Sequence, residues 1–249
     1  MRRPILFLMV LLVATPAMAA ELRIAVAANF TATLERLAEV YGPENGVRFA
    51  ISSGSSGKHF AQIRQGAPFD IFFSADDRRT ADLVASGHAV ADSRLVYAEG
   101  VLALWSPDPG LIPEDGVAFL KSDDYRHLAI ANPRVAPYGA AAEAVMNAHG
   151  IEPGPGRLVT GQSIGQALSF VTTGNAEFGF VALSQVITHE RQHGAGSRWI
   201  PGPDSYPAIV QEAVLLTSAR DPDAALAFLD WVRTSEAARQ IIESDGYRR

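Results

Sequence analysis

The sequence predicts an α/β fold with two lobes, in which each lobe is a doubly wound sheet flanked by helices and the chain crosses twice between the lobes. Three observations favour this class. Short apolar runs alternate with segments of helical periodicity, as in sheets covered by helices. The alternation stops at 95–105 and then begins again as a second series. A last strand and two helices follow the Pro- and Gly-rich stretch 201–207, and they are needed to complete the first series.

The first series of elements begins at residue 21. In the strand expected at 21–28, polar and apolar residues alternate before the sequence becomes continuously apolar. In the helix expected at 31–41, Leu34, Leu37 and Tyr41 occur at helical spacing. A strand, a glycine-closed helix and another strand are expected at 47–52, 58–66 and 69–74, and a further helix at 80–86. This alternation of strands and helices predicts a parallel sheet.

The second series follows the long apolar segment 95–105, which Glu99 and Gly100 interrupt. Its expected strands are 127–131, 158–160 and 178–183, and its expected helices are 138–149 and 163–173. Beyond residue 207 we expect a strand at 208–217 and helices at 222–234 and 236–244. The predicted domains are therefore 20–97 with 208–249 for lobe 1, and 98–207 for lobe 2.

The first nineteen residues have the pattern of a cleaved secretory signal peptide. Arg2 and Arg3 are followed by an apolar stretch at 5–13 and by the small-residue sequence Ala17-Met18-Ala19. The apolar stretch is too short for a membrane-spanning helix of roughly 20 residues. We therefore expect residues 1–19 to be removed and the remaining chain to act outside the cytoplasm.

Composition excludes several classes of protein. The chain has no cysteine, so disulfides, thiolate nucleophiles and cysteine-based metal sites are absent from its chemistry. It has 27 acidic against 21 basic residues and a net charge of −6, with no basic run, which argues against a nucleic-acid partner. Stability must come from a buried core, and the chain is long enough to form one.

Four apolar runs end in small, uncharged, hydrogen-bonding residues just before a helical pattern. These turns are 27–29, 52–57, 136–139 and 161–164. Each would leave free backbone N–H groups at the positive end of a helix dipole, and these two features together favour binding of an anion. No Asp or Glu lies at their tips. Since ligands of open α/β sheets bind beyond the carboxyl ends of the strands, each lobe would present two of these turns to one cleft.

Each residue of these turns also has an ordinary structural interpretation. Asn29 and Ser56 could simply be helix N-caps, which both residue types favour. Tyr138 could be a surface residue at a helix start, and Ile164 could belong to the core. Their recurrence at four equivalent positions favours binding over these interpretations.

The chain resembles the molybdate-binding periplasmic proteins of ABC importers in four segments, AANFTATLERLA, SSGSSGKHFAQIRQGAPFDIFFSAD, ANPRVAPYGAAAEAVM and GQSIGQALSFVTTGNAEFGFV. The order and spacing match across essentially the whole chain after residue 19, and GAPFDIFFSADD at 66–77 is the most specific piece. The resemblance implies the periplasmic-binding-protein fold, a periplasmic location and a monomer that is not an enzyme. It also implies a membrane permease of an ABC transporter as partner and no cofactor.

The resemblance further implies the ligand contacts, which are Asn29 with Ala28 alongside, Ser56 with Ser55 beside it, Tyr138, and the backbone N–H of Ile164. Molybdenum would be bound only as its oxyanion, with no site for a free metal cation. Some members of the family have a ligand tyrosine where this chain has Ala182. We expect Tyr138 to supply that phenol from the opposite lobe.

The absence of acidic residues from the four turns bears on selectivity. Hydrogen phosphate keeps a proton near neutral pH, so a site that binds it well includes a hydrogen-bond acceptor for that proton. A site that offers only donors favours molybdate, tungstate or sulfate, which are fully ionised. Molybdate and tungstate differ little in size and charge, so we expect both to bind. Sulfate is smaller and should be reached poorly by rigid donors. A carrier of sulfate or of another small oxyanion remains the alternative among binding proteins.

Two enzyme motifs compete with this hypothesis. Residues 189–193 read H-E-x-x-H, which would make the chain a secreted zinc hydrolase. However, Gly194 and Gly196 end the helix directly after His193, so an exposed helix end is the favoured interpretation. Residues 161–165 read G-x-S-x-G, as in a hydrolase nucleophile elbow. Here we expect Ser163 to cap its helix instead.

Overall fold

Two five-stranded sheets flanked by helices form the protein. The computed structural model describes residues 20–122 and 124–248. The predicted signal peptide, 1–19, lies outside the described residues. The strands are β1 (Ala20–Ala27), β2 (Val47–Gly54), β3 (Ile71–Ser74), β4 (Leu95–Gly100), β5 (Leu102–Ser106), β6 (Leu128–Ala131), β7 (Leu158–Gly161), β8 (Phe178–Ala182), β9 (Ser197–Trp199) and β10 (Ile209–Leu215). This architecture confirms the predicted α/β class with two sheets.

Nine helices connect and cover these strands within the described residues. They are α1 (Thr31–Asn45), α2 (Ser56–Arg64), α3 (Arg78–Ala85), α4 (Gly116–Ser122), α5 (Pro137–His149), α6 (Ile164–Thr172), α7 (Leu183–His193), α8 (Pro222–Thr234) and α9 (Glu236–Ser244). In the part of the chain that the structure describes, none of them has the length and apolar character needed to cross a membrane.

The first sheet has the strand order β2-β1-β3-β10-β4. β1 runs parallel to β2 and β3, as predicted, and the late strand β10 completes this sheet, as the sequence also predicts. The predicted parallel pairing does not extend to β10, which is antiparallel to both β3 and β4. The chain returns from the second sheet on the side of the carboxyl ends, so β10 enters in the opposite direction.

The second sheet has the order β7-β6-β8-β5-β9. β6 pairs parallel with β7 and β8, while β5 is antiparallel to β8 and β9. The chain passes from the first sheet to the second at Val101, between β4 and β5, and returns between β9 and β10. The assignment of lobes by residue number, with limits at 97/98 and 207/208, stays a prediction.

Aromatic side chains fill the core beneath the first turn. Phe30 stacks on Phe73 with ring centroids 5.6 Å apart and also contacts Tyr97 and Tyr247. All four rings are buried. Because Phe30 directly follows Asn29, this packing holds the end of β1 and the start of α1 in place.

Several elements differ from the sequence-based prediction. The segment 95–105 is two strands of different sheets, and α4 and β9 were not predicted. Both are short, and β9 forms only three residue pairs with β5. α1 continues past Tyr41 through Pro43, and Gly46 ends it in the left-handed conformation with φ 64°. α2 begins at Ser56, because the side chain of Ser55 caps it.

Candidate functional site

The four predicted turns surround one small cavity. They follow β1, β2, β6 and β7 at their carboxyl ends and lead into α1, α2, α5 and α6. The cavity is nearly closed, with a volume of about 10 Å³ for the centre of a water-sized sphere, far below the roughly 300–1,000 Å³ of most pockets for organic ligands. It is lined by Ala27, Ala28, Asn29, Gly54, Ser55, Ser56, Ala75, Ala136, Pro137, Tyr138 and Ile164. All six residues named from the resemblance therefore lie around a single space between the two sheets.

Backbone N–H groups are the most numerous donors at this cavity. Within the described residues, the N–H groups of Asn29, Ser56, Tyr138 and Ile164 have no hydrogen-bond partner. The last three lie in the first turns of α2, α5 and α6, where N–H groups have no partner inside the helix. Each helix also directs the positive end of its dipole toward the cavity.

The cavity carries no charged side chain among the residues described. No Asp or Glu lies in the first turn of α1, α2, α5 or α6. The cation nearest in sequence to a turn is Lys58, which is exposed and does not line the cavity. Dipoles rather than charges therefore make the cavity attractive to an anion.

Ser56 contributes a hydroxyl as well as its N–H group. Its side chain is fully buried, and its Oγ accepts a hydrogen bond of 2.9 Å from the N–H of Ala75. Since that oxygen already accepts from a backbone donor, its own proton remains free to be donated. Interpreting Ser56 as the helix cap is wrong, because Ser55 has that role and accepts from the N–H of Lys58 at 3.3 Å.

Tyr138 contributes a buried phenol. Its oxygen accepts a hydrogen bond of 3.1 Å from Nε2 of Gln211 on β10. Burial, and to a lesser degree the neighbouring phenol of Tyr247, raise the pKa of Tyr138 well above its usual value, so the group stays protonated. The interpretation as a surface residue is wrong, since Tyr138 is 1% exposed. The expectation that it reaches from the opposite lobe is also wrong, because α5 follows β6 in the same sheet as Ala182 of β8.

Asn29 is held by its side chain and carbonyl group. Nδ2 donates to Oε1 of Gln211 at 2.8 Å and to the hydroxyl of Tyr247 at 3.1 Å. The carbonyl oxygen accepts from Tyr247 at 2.7 Å and from Oγ of Ser184 at 3.0 Å. The N-cap of α1 is Phe30, so the interpretation of Asn29 as a cap is wrong. Its backbone N–H is the donor that remains available.

Ala28 and Ile164 contribute differently from each other. The N–H of Ala28 donates to the carbonyl of Gly54 at 2.8 Å, so Ala28 lines the cavity without offering an N–H group. Ile164 is buried and its side chain belongs to the core around β6 and β8, as its ordinary interpretation has it. Its backbone N–H is nevertheless free at the start of α6.

Contacts across the cavity hold the two halves together. The N–H of Gly57 in α2 donates to the carbonyl of Val135, just before α5, at 2.9 Å. A Cβ on Gly57 would lie 2.9 Å from both Cα and O of Val135. The arrangement is therefore a closed one, and glycine is the residue that permits it.

Gln211 and Tyr247 hold the polar groups of the site, and neither was predicted from the sequence. Gln211 is fully buried in β10 and contacts Asn29, Tyr97 and Tyr138. One signal was available, because a glutamine inside the apolar strand 208–217 needs buried partners. The sequence could not show which partners these are.

Residues of the two enzyme motifs have other structural roles. His193 ends α7 before Gly194, and its ring stacks on that of His189 at 4.2 Å. Glu190, the expected base, pairs instead with Arg198 at 2.7 Å. No group of three or more metal-binding side chains occurs among the described residues. Ser163 caps α6 as predicted, accepting from the N–H of Gln166 at 3.2 Å.

Comparisons with known proteins agree with this geometry. The family described as bacterial extracellular solute-binding protein matches residues 22–248. The molybdate-binding protein ModA of Azotobacter vinelandii is 46% identical over 238 residues, which are 95% of this chain and 93% of that protein. ModA of Rhodobacter capsulatus is also 46% identical, covering 94% and 90%. The solved structure of the Azotobacter vinelandii periplasmic molybdate-binding protein superposes with a TM-score of 0.87 at 40% identity, covering 92% of this chain and 99% of that one.

Proposed function

The chain belongs to the bacterial extracellular solute-binding proteins and, within them, to the relatives of the molybdate-binding protein ModA, and from this membership we propose that it captures molybdate for an ABC importer. The ion would occupy the cavity between the two sheets. Its ligands would be Asn29, Ser56, Tyr138 and Ile164, with Ala28 and Ser55 completing the wall. The lobes that close on it would be 20–97 with 208–249, and 98–207.

One observation carries this proposal at the level of chemistry. Four free N–H groups and two hydroxyls, those of Ser56 and Tyr138, lie around one cavity without a carboxylate. A dianion satisfies many donors at once, and it needs no acceptor in return. Buried dipoles that are already oriented bind such an ion without the desolvation cost of a buried lysine or arginine.

The same chemistry supports tungstate as a second ligand. Tungstate has the charge and nearly the size of molybdate, so donors placed for one suit the other. Sulfate is smaller, and donors fixed by four helix starts would reach it less well. Hydrogen phosphate would bring a proton that profits from an acceptor, and the cavity walls offer no carboxylate to receive it.

The remaining parts of the proposal concern the setting in which the protein works. We infer that it acts in the periplasm as a monomer and delivers its ion to a membrane permease. It would perform no covalent chemistry, and it would need no cofactor and no nucleic acid. Support comes from its relatives, which are solute-binding transport proteins rather than enzymes.

A thermal-shift and calorimetric comparison of four oxyanions tests the function. Ligand-free protein is mixed with molybdate, tungstate, sulfate or phosphate, and the melting temperature and Kd are measured. A ligand at about 100 times its Kd stabilises the fold by roughly 2.7 kcal/mol, which corresponds to about 5–10 °C for a chain of this size. We expect this for molybdate and tungstate. Equal or greater stabilisation by sulfate or phosphate would contradict the proposal.

Zinc analysis removes the hydrolase alternative in the same experiment. The purified protein is assayed for bound zinc, and His193→Ala is compared with the wild type for molybdate binding. We expect no stoichiometric zinc and an unchanged Kd, because His193 is exposed at the end of α7, away from the cavity. Stoichiometric zinc that is lost in His193→Ala would favour the hydrolase instead.

A further inference from the structure

We propose that Gln211 is a positioning residue that makes the hydroxyl of Tyr138 a hydrogen-bond donor to the bound oxyanion, and that Tyr247 fixes the orientation of Gln211 through the Asn29 amide. This inference rests on the proposed function, because it concerns the same cavity. Neither Gln211 nor Tyr247 lines that cavity. Gln211 would act on the ion only through Tyr138, because Asn29 is also held by Tyr247 and Ser184, and Tyr247 would act through the Asn29 amide and Gln211.

The order of donors and acceptors starts at a group that can only accept. The carbonyl oxygen of Asn29 lies 2.7 Å from the hydroxyl of Tyr247, so the single proton of that phenol is donated to it. The oxygen of Tyr247 must then act as acceptor toward the Asn29 side chain, 3.1 Å away. This requires Nδ2 of Asn29, rather than Oδ1, to face Tyr247.

The orientation of Gln211 follows from that of Asn29. Nδ2 of Asn29 lies 2.8 Å from the Gln211 amide, so Gln211 must present Oε1 to it. The hydroxyl of Tyr97 lies 2.9 Å from the same Oε1 and 3.0 Å from the carbonyl oxygen of Ser74. Tyr97 donates toward both of these oxygens, which agrees with this orientation of Gln211. The donor end of Gln211, Nε2, is left for Tyr138.

Tyr138 is the last member of this hydrogen-bond chain. Its oxygen accepts from Nε2 of Gln211 at 3.1 Å, so its own proton is free on the side of the cavity that it lines. Gly100 makes room for this contact, since a Cβ there would lie 2.2 Å from the Tyr138 hydroxyl and 2.6 Å from Nε2 of Gln211. Asn29, Tyr138 and Gln211 are all at most 3% exposed. Reversing one member in such a buried network leaves another unpaired.

The consequence is a bias against protonated oxyanions. A phenol can donate or accept, and a free Tyr138 could receive the proton of hydrogen phosphate as readily as it donates to molybdate. Gln211 occupies the accepting side of the phenol. The site thereby gains selectivity from a residue that never touches the ion.

A double-mutant cycle on ligand-free protein tests the role of Gln211. The Kd for molybdate is measured by calorimetry for the wild type, Tyr138→Phe, Gln211→Met and the double variant. A hydrogen bond to a charged group corresponds to about tenfold or more in Kd, which we expect for Tyr138→Phe. For Gln211→Met we expect about three- to tenfold, and the double variant should bind within about twofold of Tyr138→Phe, because Gln211 acts only through the phenol.

The adjacent strand residue supplies a matched control. Glu212 is also buried in β10, but its side chain pairs with Arg94 and Thr80 instead of the cavity residues. Glu212→Gln should lower the melting temperature while the Kd stays within about twofold of the wild type. This control distinguishes general damage to β10 from a specific effect on binding of the ion.

A second variant, Gln211→Glu, keeps the test decisive if methionine disturbs packing. At about pH 7.5 a carboxylate can only accept, so it would accept a hydrogen bond from the Tyr138 hydroxyl and repel the dianion, weakening binding by about 100-fold. Burial beside an anion raises the pKa of this carboxyl. At about pH 5.5 the neutral carboxyl has an O–H that can donate to the Tyr138 oxygen in place of Nε2. The affinity for molybdate should then recover relative to the wild type at the same pH. The facing groups, the phenols of Tyr97 and Tyr138 and the amide of Asn29, stay neutral over this range.

The outcomes separate this inference from the proposed function. Wild-type affinity in Gln211→Met, fully additive losses in the double variant, or no recovery of Gln211→Glu at low pH would each overturn the role of Gln211. Failure of the wild type to bind molybdate would overturn the proposed function itself. A coupled loss in the cycle with recovery at low pH would support both.

Discussion

At the scale of single residues, the hydroxyls of Ser56 and Tyr138 have their hydrogen-bonding direction assigned by distant groups. Ser56 accepts from the backbone N–H of Ala75, and Tyr138 accepts from the side chain of Gln211. Each oxygen is thereby occupied on its accepting side. A hydroxyl can either donate or accept a hydrogen bond, and these contacts favour donation toward the cavity.

The change Ser56→Ala tests this assignment for the serine. It removes one donor to the ion, and we expect the Kd for molybdate to rise about tenfold or more. It also leaves the buried N–H of Ala75 without its acceptor, so the melting temperature of ligand-free protein should fall. The control is Ser53→Ala, since Ser53 is exposed and its hydroxyl bonds Thr31. An unchanged Kd in Ser56→Ala would show that this hydroxyl does not contact the ion.

At the scale of secondary structure, the site is built from the first turns of helices. α2 and α6 begin alike, with a serine side chain capping each helix and the next residue offering a free N–H to the cavity. α5 begins instead with Pro137 at its first position, followed by Tyr138. A proline there loses no hydrogen bond, because that N–H would have no partner in the helix. The caps stabilise the helices and leave the donors beside them free at the cavity.

Ser163→Ala separates the capping role from the binding role and from the hydrolase hypothesis. Losing an N-cap costs about 1 kcal/mol, or about 2–4 °C in melting temperature for a chain of this size. The N–H of Ile164 is a backbone group and stays in place, so the Kd for molybdate should change by less than about threefold. Ser169→Ala is the control, because its hydroxyl is exposed and bonds only a carbonyl within α6. Abolished binding in Ser163→Ala would place its hydroxyl at the ion.

At the scale of the whole molecule, closure brings donors from two sheets to one cavity. α2 of the first sheet touches the turn before α5 through Gly57 and Val135. A second contact joins the two halves, because Arg191 of α7, which follows β8 of the second sheet, pairs with Asp245 after α9 at 2.6 Å. We expect ligand binding between two such halves to be coupled to their approach, as in hinge closure.

Gly57→Ala should oppose this closure. Its Cβ would lie 2.9 Å from backbone atoms of Val135, so the two halves must separate slightly. Alanine also favours helix over glycine. We therefore expect a weaker Kd for molybdate without a loss of ligand-free stability, and a larger radius of gyration by small-angle X-ray scattering at saturating molybdate. Gly110→Ala is the control, since its Cβ would meet no atom nearer than 3.6 Å. A wild-type Kd and radius in Gly57→Ala would contradict the closed contact.

Much of the fold could be predicted because its signals are local. Helical periodicity and end residues located α8 and α9 at their observed limits, 222–234 and 236–244. The same local chemistry identified the four turns that surround the cavity. α4 and β9 escaped prediction, since seven- and three-residue elements carry too little periodicity.

The sequence by itself determined the two-sheet architecture, the four helix starts and the absence of charge at their tips, because each depends on residues that are close along the chain. Only the tertiary structure decided the antiparallel direction of β10 and the partners of the cavity residues. The bond from Gln211 to Tyr138 joins residues 73 positions apart, and that from Tyr247 to Asn29 joins residues 218 apart. Such pairs leave no local pattern in the sequence, because packing of the whole chain brings them together. They determine which polar groups of the cavity are left as hydrogen-bond donors.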